Sequence, residues 1–408
     1  MTASGTFSRN VGLYLVARFC SAAALAMLRA AIAWQVFALS HSAFQLGLIG
    51  LVQFAAGVGL SLVGGAVADS SDRRRVVLRA GVVPVCCALS LATATERGAV
   101  GLTFLYAIAF VTAAAAAFEN PARAALLPSL VAPDAMPRLV AAASTNSALA
   151  LATGPAACGL VIADFGVGAA YAVVALLGCV SLAALVRLRV PSSPRAVRTL
   201  DWSAIREGLS FLRHNPVVLG CMMVDMLAVI FGGAVALLPI YATDILHVGA
   251  RGYGLLASSL DLGAIVSSIL LTALPPIRRA GPALLGAVGL YGLATIVFGL
   301  SRSFPLSVAA YMVVGMADQV SVVLRSVTIQ LNTPDALRGR VSSVNMIFVG
   351  ASNQLGAAES GFLAALTNPT FSVAAGGAAS IAVAAGVALA VPELRRYRLQ
   401  LRGGDVGA

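Results

Sequence analysis

Long apolar segments recur along the whole chain and determine the solvent in which it can fold. Hydrophobic residues make up 59% of the 408 positions and charged residues only 11%, with a mean hydropathy of +0.93. A soluble protein of this length needs far more charge to cover its surface. About 20 apolar residues, rising 1.5 Å each, span a hydrocarbon core of roughly 30 Å. The composition therefore predicts an integral membrane protein without a soluble domain.

Hydropathy divides the chain into twelve predicted transmembrane helices. They span residues 11–39, 44–68, 75–95, 100–119, 138–163, 167–187, 216–242, 251–273, 281–300, 304–324, 341–366 and 371–391. The long polar break at 188–215 falls at the middle of the chain. We therefore predict an all-α membrane protein of two pseudo-symmetric bundles of six helices each. Residues 1–190 form the first bundle, 191–215 a cytoplasmic linker, and 216–408 the second bundle with a short cytoplasmic tail.

The linker contains a pattern typical of a surface helix. Asp201 is a candidate N-cap, and Trp202, Ile205, Leu209 and Leu212 share one helical face. Such a helix would lie on the cytoplasmic headgroups, with or without a role beyond anchoring the linker.

The basic residues indicate how the chain is oriented. All 27 are arginines. If the N-terminus is cytoplasmic, 22 of them fall on the cytoplasmic side, three (Arg97, Arg251 and Arg302) fall outside, and two lie within the first helix. This asymmetry predicts cytoplasmic termini in an inner or plasma membrane. It also accounts for the positive charge without a nucleic-acid partner.

A weak internal repeat supports two similar halves. The segment from Arg123 to Gly159 and the segment from Arg325 to Gly361 share a Pro-Asp-Ala sequence followed by an asparagine, at an offset of about 200 residues. Both segments contain the connection between the fourth and fifth helices of a half. Together with the central linker, they favour a duplication of six helices.

Ionisable residues within the predicted helices are candidates for function, because a charge at membrane depth costs about 2.5–3.5 kcal/mol unless it is paired or faces a water-filled cavity. Arg18 and Arg29 share a face of the first helix, and Arg29 is deeper, whereas Arg18 could extend to the headgroups. Asp225 and Asp261 lie near the midplane of the seventh and eighth helices. A carboxylic acid in a partly dry cavity can hold a proton near neutral pH, so these two are the main candidates for proton coupling.

Two further acids have more ordinary interpretations. Asp318 lies seven residues before Arg325 on a similar face of the tenth helix, which predicts a structural ion pair. Glu359 lies in the outer part of the eleventh helix, close enough to the surface to be solvated. Both remain candidates for the cavity wall.

Other chemistry has no basis in the sequence. It contains no nucleophile–base pair, Walker loop, glycine-rich nucleotide loop or Cys/His metal spacing. We therefore predict a protein that is not an enzyme, binds no metal and needs no cofactor.

The loop after the second helix carries a family resemblance. Gly65, Asp69, Asp72, Arg73 and Arg74 lie at or near the positions of the G-x-x-x-D-R-x-G-R-R loop of the major facilitator superfamily. Ser70 and Asp72 replace the usual arginine and glycine. In the family this gating loop joins helices on the inward-facing side, and the resemblance implies the same role here.

A narrower resemblance, to the enterobactin-exporter branch of that superfamily, extends over most of the chain. It is carried by Arg18, Trp34-Gln35-Val36, Asn120 to Pro128 around Arg123, Glu207-Gly208, Gly252 to Leu256, and Arg338-Gly339-Arg340 in a predicted cytoplasmic loop. Gly154-Pro155 with Gly159 resembles the antiporter motif of exporters, with Ala150 and Cys158 in place of glycines. The sequence departs from the family in the fourth helix, since residues 100–117 lack the membrane-embedded arginine that often occurs there.

The resemblance implies a monomeric secondary transporter that exports a small amphipathic molecule, such as a siderophore, drug or secondary metabolite, by proton antiport through alternating access. Its partners would then be the substrate, protons and the lipid bilayer. An importer or lysophospholipid flippase of the same fold, or a transport-inactive membrane sensor, remains the alternative.

Overall fold

The structure is a computed structural model that describes residues 3–188, 207, 210–275 and 277–399. Within these ranges it does not describe the side chains of residues 3–8, 61–63, 65, 66, 68–70, 129, 133 and 336. The predicted linker helix therefore lies outside the described residues, except for Glu207 and the helical turn at 210–214.

Twelve long helices form the described part of the chain. They are α1 (Ala3–Ser40), α2 (Ala43–Ser70), α3 (Arg73–Glu96), α4 (Leu102–Leu126), α5 (136–165), α6 (167–187), α7 (Pro216–Gly232), α8 (Gly249–Ala273), α9 (Ala280–Leu300), α10 (Phe304–Asn332), α11 (Asp335–Leu366) and α12 (Pro369–Ala390). α5 and α6 are the two parts of the helical stretch Met136–Arg187, which turns at Gly166 with φ 83°. That left-handed conformation favours glycine.

The lengths of these helices agree with the predicted twelve crossings. Ten stretches of the described residues are long and apolar enough to span a membrane, and one of them contains both α5 and α6. α11 has 32 residues, which is sufficient length, but it carries Asp335, Arg338, Arg340 and Glu359. The predicted all-α membrane fold is confirmed.

Several helix starts are fixed by side-chain caps. The Asp72 carboxylate accepts hydrogen bonds from the backbone N–H groups of Arg74 (3.0 Å) and Arg75 (3.3 Å) at the start of α3. Asn215 and Asn368 cap α7 and α12 in the same way. A capped N–H group needs no water, so these helices can begin close to the membrane surface.

The seventh crossing is interrupted, although the sequence predicted a continuous helix over 216–242. α7 ends at Gly232, and Gly233 leaves the helical region with ψ 94°. The Tyr291 hydroxyl donates to the Gly232 carbonyl (3.0 Å), and a Cβ on Gly232 would lie 2.4 Å from the Tyr291 ring. A 3₁₀ turn, a short α turn and a π turn ending at Ile245 complete the crossing. The adjacent glycines permit the break, and the tyrosine satisfies a carbonyl exposed by it.

The apolar core shows that the two bundles meet at one end. We call the end with the α2–α3 connection the basic end, because Arg73–Arg75 lie there. At the opposite end, one continuous cluster of buried residues joins both bundles, including Leu28 of α1 and Tyr253 of α8. At the basic end, the clusters are separate: one belongs to the first bundle, and two belong to the second. The opposite end is therefore the closed end.

Two pairs of helices close that end through glycines. A Cβ on Gly50 of α2 would lie 2.7 Å from the Gln354 carbonyl oxygen of α11, and one on Gly361 would lie 2.4 Å from the Gly47 Cα atom. On the other side, a Cβ on Gly159 of α5 would lie 2.4 Å from the Ala250 carbonyl oxygen of α8. These two glycine seams bring backbone against backbone across the bundle interface.

The seams end abruptly towards the basic end. A Cβ on Gly57 of α2 or Gly350 of α11 would have no neighbour within 4 Å, although both glycines continue the helices that meet at Gly50 and Gln354. The two helices have therefore separated by this depth. A central cavity between the bundles opens towards the basic end.

The seams predict a conformational effect of added side chains. Gly159→Leu should force α5 and α8 apart, because its Cβ collides with backbone that cannot rotate away. The distance between spin labels at Phe165 and Asp244, two exposed positions at the closed end, should then increase. Pulsed electron–electron double resonance measures this distance. Gly57→Leu is the matched control and should leave the distance unchanged. An unchanged distance in Gly159→Leu would contradict the assignment of this seam.

Candidate functional site

Arg29 lies on α1, next to a contact between the two bundles. Its side chain is exposed, although its neighbours Leu28 and Ala30 are buried and the Tyr253 hydroxyl of α8 donates to the Ala30 carbonyl (3.1 Å). The exposed Arg29 side chain therefore lies next to a contact between the bundles. Among the described residues, Arg29 has no hydrogen-bond or ion-pair partner. It is thus an available cation at membrane depth.

Arg18 has a structural environment instead. Its Nε donates to the Ala143 carbonyl (3.2 Å) and to the Ser147 hydroxyl (2.6 Å), both on α5. It therefore fastens α1 to α5 nearer the basic end and does not extend to the headgroups as the sequence allowed.

Asp225 forms a buried cluster with Arg325 and Ser321. The Asp225 carboxylate is ion-paired with the Arg325 guanidinium, and the Ser321 hydroxyl donates to it (3.0 Å). Asp225 is 4% exposed and Arg325 is 3% exposed. The ion pair links α7 to α10 across the second bundle.

The predicted pairing of Asp318 with Arg325 is wrong. Arg325 instead pairs with Asp225, because α7 presents a carboxylate directly at the guanidinium, whereas Asp318 lies almost two turns away along α10. Asp318 borders a small cavity with Asp225, Ser321 and Tyr291. In the described part of the chain it has no hydrogen bond or ion pair.

Asp261 and Glu359 are also unpaired among the described residues, and both are half-buried. Asp261 of α8 is close enough to Asp318 and Tyr311 of α10 for electrostatic interaction. Glu359 lies on α11 beside the seam residues Ala358 and Gly361. The second bundle thus holds two neighbouring carboxyl groups, on Asp261 and Asp318, with no bonded cation.

The first bundle contains a buried ion pair that the sequence did not predict. Arg123 is 6% exposed and pairs with Glu119, four residues earlier on α4. The Ser21 hydroxyl of α1 donates to Glu119 (3.3 Å) and accepts from the Arg123 Nη2 (3.1 Å). Arg123 is therefore not a loop residue as predicted, because α4 continues to Leu126 beyond Pro121. Pro121 cannot donate to the Ala117 carbonyl, and that carbonyl faces Gly64 of α2, where no Cβ intrudes.

The two buried clusters occupy equivalent places in the two halves but distribute their groups differently. Arg123 on α4 corresponds to Arg325 on α10, and Glu119 corresponds to Ser321, each four residues before its arginine. Ser21 on α1 then corresponds to Asp225 on α7. The carboxylate and the hydroxyl have exchanged helices. Consequently, the first bundle has its ion pair within one helix, whereas the second has its ion pair between two helices.

The gating-loop arginines hold the basic end of the first bundle. Arg73 Nη1 donates to the Ala125 carbonyl of α4 (3.0 Å), and Arg74 Nε donates to the Leu185 carbonyl of α6 (3.3 Å). Each satisfies a carbonyl near a helix C-terminus, where positive charge is favoured. Gly65 and Asp69 lie in the last turns of α2, and their surroundings are outside the described residues.

Arg338 and Arg340 are not in a loop, as the sequence predicted, because α11 begins earlier, at Asp335. Pro334 precedes the helix, and Asp335 in the first turn pairs with Arg338 (2.8 Å). Arg340 pairs with Glu207 of the linker. These exposed charges stabilise the start of α11 and connect it to the linker.

The antiporter-like motif of α5 faces two neighbours. Gly154 packs on α1, where a Cβ would lie 2.9 Å from the Ala23 carbonyl oxygen. Gly159 and the Pro155 carbonyl instead face Gly254 of α8 across the seam. The motif therefore joins α1 within the first bundle and α8 across the interface.

Comparison with known proteins identifies a family. The model of the family described as transmembrane secretion effector matches residues 9–401. The enterobactin exporter EntS of Escherichia coli O1:K1 / APEC is 28% identical over 391 residues, covering 94% of this chain and 92% of the exporter.

Solved structures agree on the fold. A mutant of the nucleoside transporter NupG superposes with a TM-score of 0.75 at 11% identity, covering 93% of this chain and 99% of the other. A POT family transporter in complex with 5-aminolevulinic acid gives a TM-score of 0.73 at 14% identity, covering 95% and 96%. At these identities, the likeness concerns the fold alone.

The exchanged clusters predict a rescue experiment. Asp225→Ser leaves the Arg325 guanidinium buried without a counter-ion and should lower stability by about 3–5 kcal/mol. Adding Ser321→Glu places a carboxylate four residues before the arginine, as in the first bundle, and should restore most of the lost stability. The apparent melting temperature in detergent measures both effects. Asp225→Ser with Ser321→Gln, which lacks the charge, should give no rescue; equal stability of the two double variants would refute the equivalence.

Proposed function

This chain belongs to the transmembrane secretion effector family of the major facilitator superfamily, and from that membership we propose that it exports a small amphipathic molecule by proton antiport. Siderophores, drugs and secondary metabolites are the substrate classes considered. Membrane transport follows from the family and the fold; the coupling ion and the substrate are our proposal.

The observation that carries the proposal is the set of charged groups at membrane depth that have no bonded partner. Arg29 in the first bundle and Asp261 and Asp318 in the second have no bonded partner in the described part of the chain. Because an unpaired charge at membrane depth is costly, such groups are retained where they bind substrate or ions. The buried pairs of Asp225 with Arg325 and of Glu119 with Arg123 do not share this property.

We assign the two kinds of charge different tasks. The Arg29 guanidinium would bind an anionic or strongly polar oxygen group of the substrate, since it offers several N–H donors in a fixed plane. Asp261 and Asp318 would take up a proton when the cavity faces one side and release it when the cavity faces the other. Asp225 would influence this proton exchange through Arg325. The Arg325 guanidinium pairs with Asp225 and also interacts electrostatically with Asp318.

Alternating access would use the glycine seams. Substrate would enter the cavity from the basic end, and the bundles would then part at the closed end and meet at the basic end. The interaction of Arg73 and Arg74 with α4 and α6 keeps the first bundle rigid during this movement.

Substitution of the unpaired acids should separate binding from coupling. Transport of enterobactin or ethidium can be measured in proteoliposomes with an imposed pH gradient. Asp261→Asn and Asp318→Asn should each lower its uncoupler-sensitive part at least about tenfold, because a side-chain amide does not take up and release a proton as a carboxyl group does. Binding of the probe to the detergent-solubilised protein should persist. Asp244→Asn, a change at an exposed residue of the closed end, is the control.

Other outcomes would redirect the proposal. Transport by the unaltered protein that is insensitive to an uncoupler would reject proton antiport. Uptake in the opposite direction only would identify an importer, and movement of lysophospholipid alone would identify a flippase.

We also propose that the basic end faces the cytoplasm of a bacterial inner membrane, as the arginine asymmetry and the family's exporters suggest. Alkaline phosphatase fused after Ser71 should then be inactive, whereas a fusion after Gly98 should be active. The opposite result would place the open cavity on the outer side, and loading from the cytoplasm would be excluded for this conformation.

A further inference from the structure

An open groove lies on the outside of the first bundle at the basic end. α2 and α3 both pack on α4 but touch each other little, so one face of α4 stays uncovered between them. The groove has a volume of about 710 Å³ and is lined by Arg75, Arg79, Val83, Phe110, Val111 and Phe118, among others. Among the described residues, α3 has no extensive contact with the second bundle, so the groove faces away from the central cavity and towards the bilayer.

The mouth of the groove is positively charged. Arg73 and Arg74 are directed to carbonyls of α4 and α6, which leaves Arg75 and Arg79 for the groove. Arg75 has an exposed ion pair with Asp72 at 3.4 Å, and Arg79 has no partner among the described residues. Both arginines are exposed. Arg79 lies about 9 Å further along α3 than Arg73, which places it within reach of the headgroup layer.

The interior of the groove is apolar. Phe110 and Val111 of α4 are 43% and 40% exposed, and Ala114 and Phe118 continue the same wall towards the mouth. Val83 of α3 forms the opposite side. Charge at the membrane surface and an apolar channel running inward from it match the two parts of a phospholipid.

We propose that this groove binds one anionic phospholipid, with its phosphate on Arg75 and Arg79 and an acyl chain along Phe118, Ala114 and Phe110. Guanidinium groups bind phosphate through charge-assisted hydrogen bonds, and basic pockets between transmembrane helices select anionic headgroups. The lipid would brace the start of α3, where Arg73 and Arg74 fasten it to α4 and α6.

The groove fits other occupants poorly. A free phosphate would leave the apolar wall unused. A helix of another protein would have to cover Arg79, which has no partner among the described residues, and burying an unpaired charge is costly at an interface. A phospholipid supplies both the anion and the apolar chain, and the bilayer holds it at high local concentration.

Binding can be measured on the purified full-length protein in dodecyl maltoside. Phosphatidylglycerol should raise the apparent melting temperature and give a one-lipid adduct in native mass spectrometry, whereas phosphatidylcholine should do neither at equal concentration. Arg75→Gln with Arg79→Gln should weaken phosphatidylglycerol binding about 25-fold, at about fivefold for each arginine. Arg396→Gln with Arg398→Gln, the same loss of charge at exposed residues of the basic end, should leave binding unchanged.

A second variant tests the apolar part without altering charge. Ala114→Trp fills the groove and should weaken phosphatidylglycerol binding while leaving Arg75 and Arg79 in place. Glycerol 3-phosphate should not compete, because it lacks the acyl chains. Equal binding of phosphatidylcholine, full competition by glycerol 3-phosphate, or unaltered binding in both groove variants would each overturn the proposal.

Discussion

The absence of water in the hydrocarbon core governs every polar group in this protein. Backbone groups are satisfied within helices, and where α7 breaks at Gly232, the Tyr291 hydroxyl takes up a released carbonyl. Side-chain charges obey the same constraint in two ways. Asp225 with Arg325 and Glu119 with Arg123 neutralise each other inside a bundle, whereas Arg29, Asp261 and Asp318 have no bonded partner among the described residues. The division between paired and unpaired charges therefore separates the scaffold from the candidate site.

The two bundles contain the same set of chemical groups in their buried clusters, although the residues at equivalent positions differ. Each bundle has an arginine near the basic end of its fourth helix, a carboxylate and a hydroxyl. Moving the carboxylate from α4 to α7 changes what the ion pair holds together: in the first bundle it spans one turn of one helix, and in the second it ties two helices. The second bundle, which also holds Asp261 and Asp318, is thus reinforced by an ion pair about two helical turns before the break in α7.

Helix positions could be predicted from the sequence because apolar length is a strong and local signal, and the turn at Gly166 fell where one was expected. The bonding partners of the charged side chains could not be predicted, since they depend on which helices become neighbours. Arg325 was assigned to Asp318 on its own helix, yet a carboxylate from α7 lies closer. The Glu119–Arg123 pair is not predicted from the sequence because hydropathy ends the fourth helix at residue 119, although the spacing of four residues and the match of Arg123 with Arg325 are visible signals. Nothing in the hydropathy of Gly232-Gly233 distinguished a break from a packing site.

The closed end owes its mechanical character to the smoothness of the surfaces that meet there. At Gly47 with Gly361, and at Gly159 with Gly254, main chain contacts main chain directly. Interdigitated cores resist sliding because rotamers must change before the parts can separate. Along these seams the helices can part or re-dock without a change of rotamer, whereas the Arg251–Asp164 ion pair and the Tyr253–Ala30 hydrogen bond across the same end must break when the gate opens.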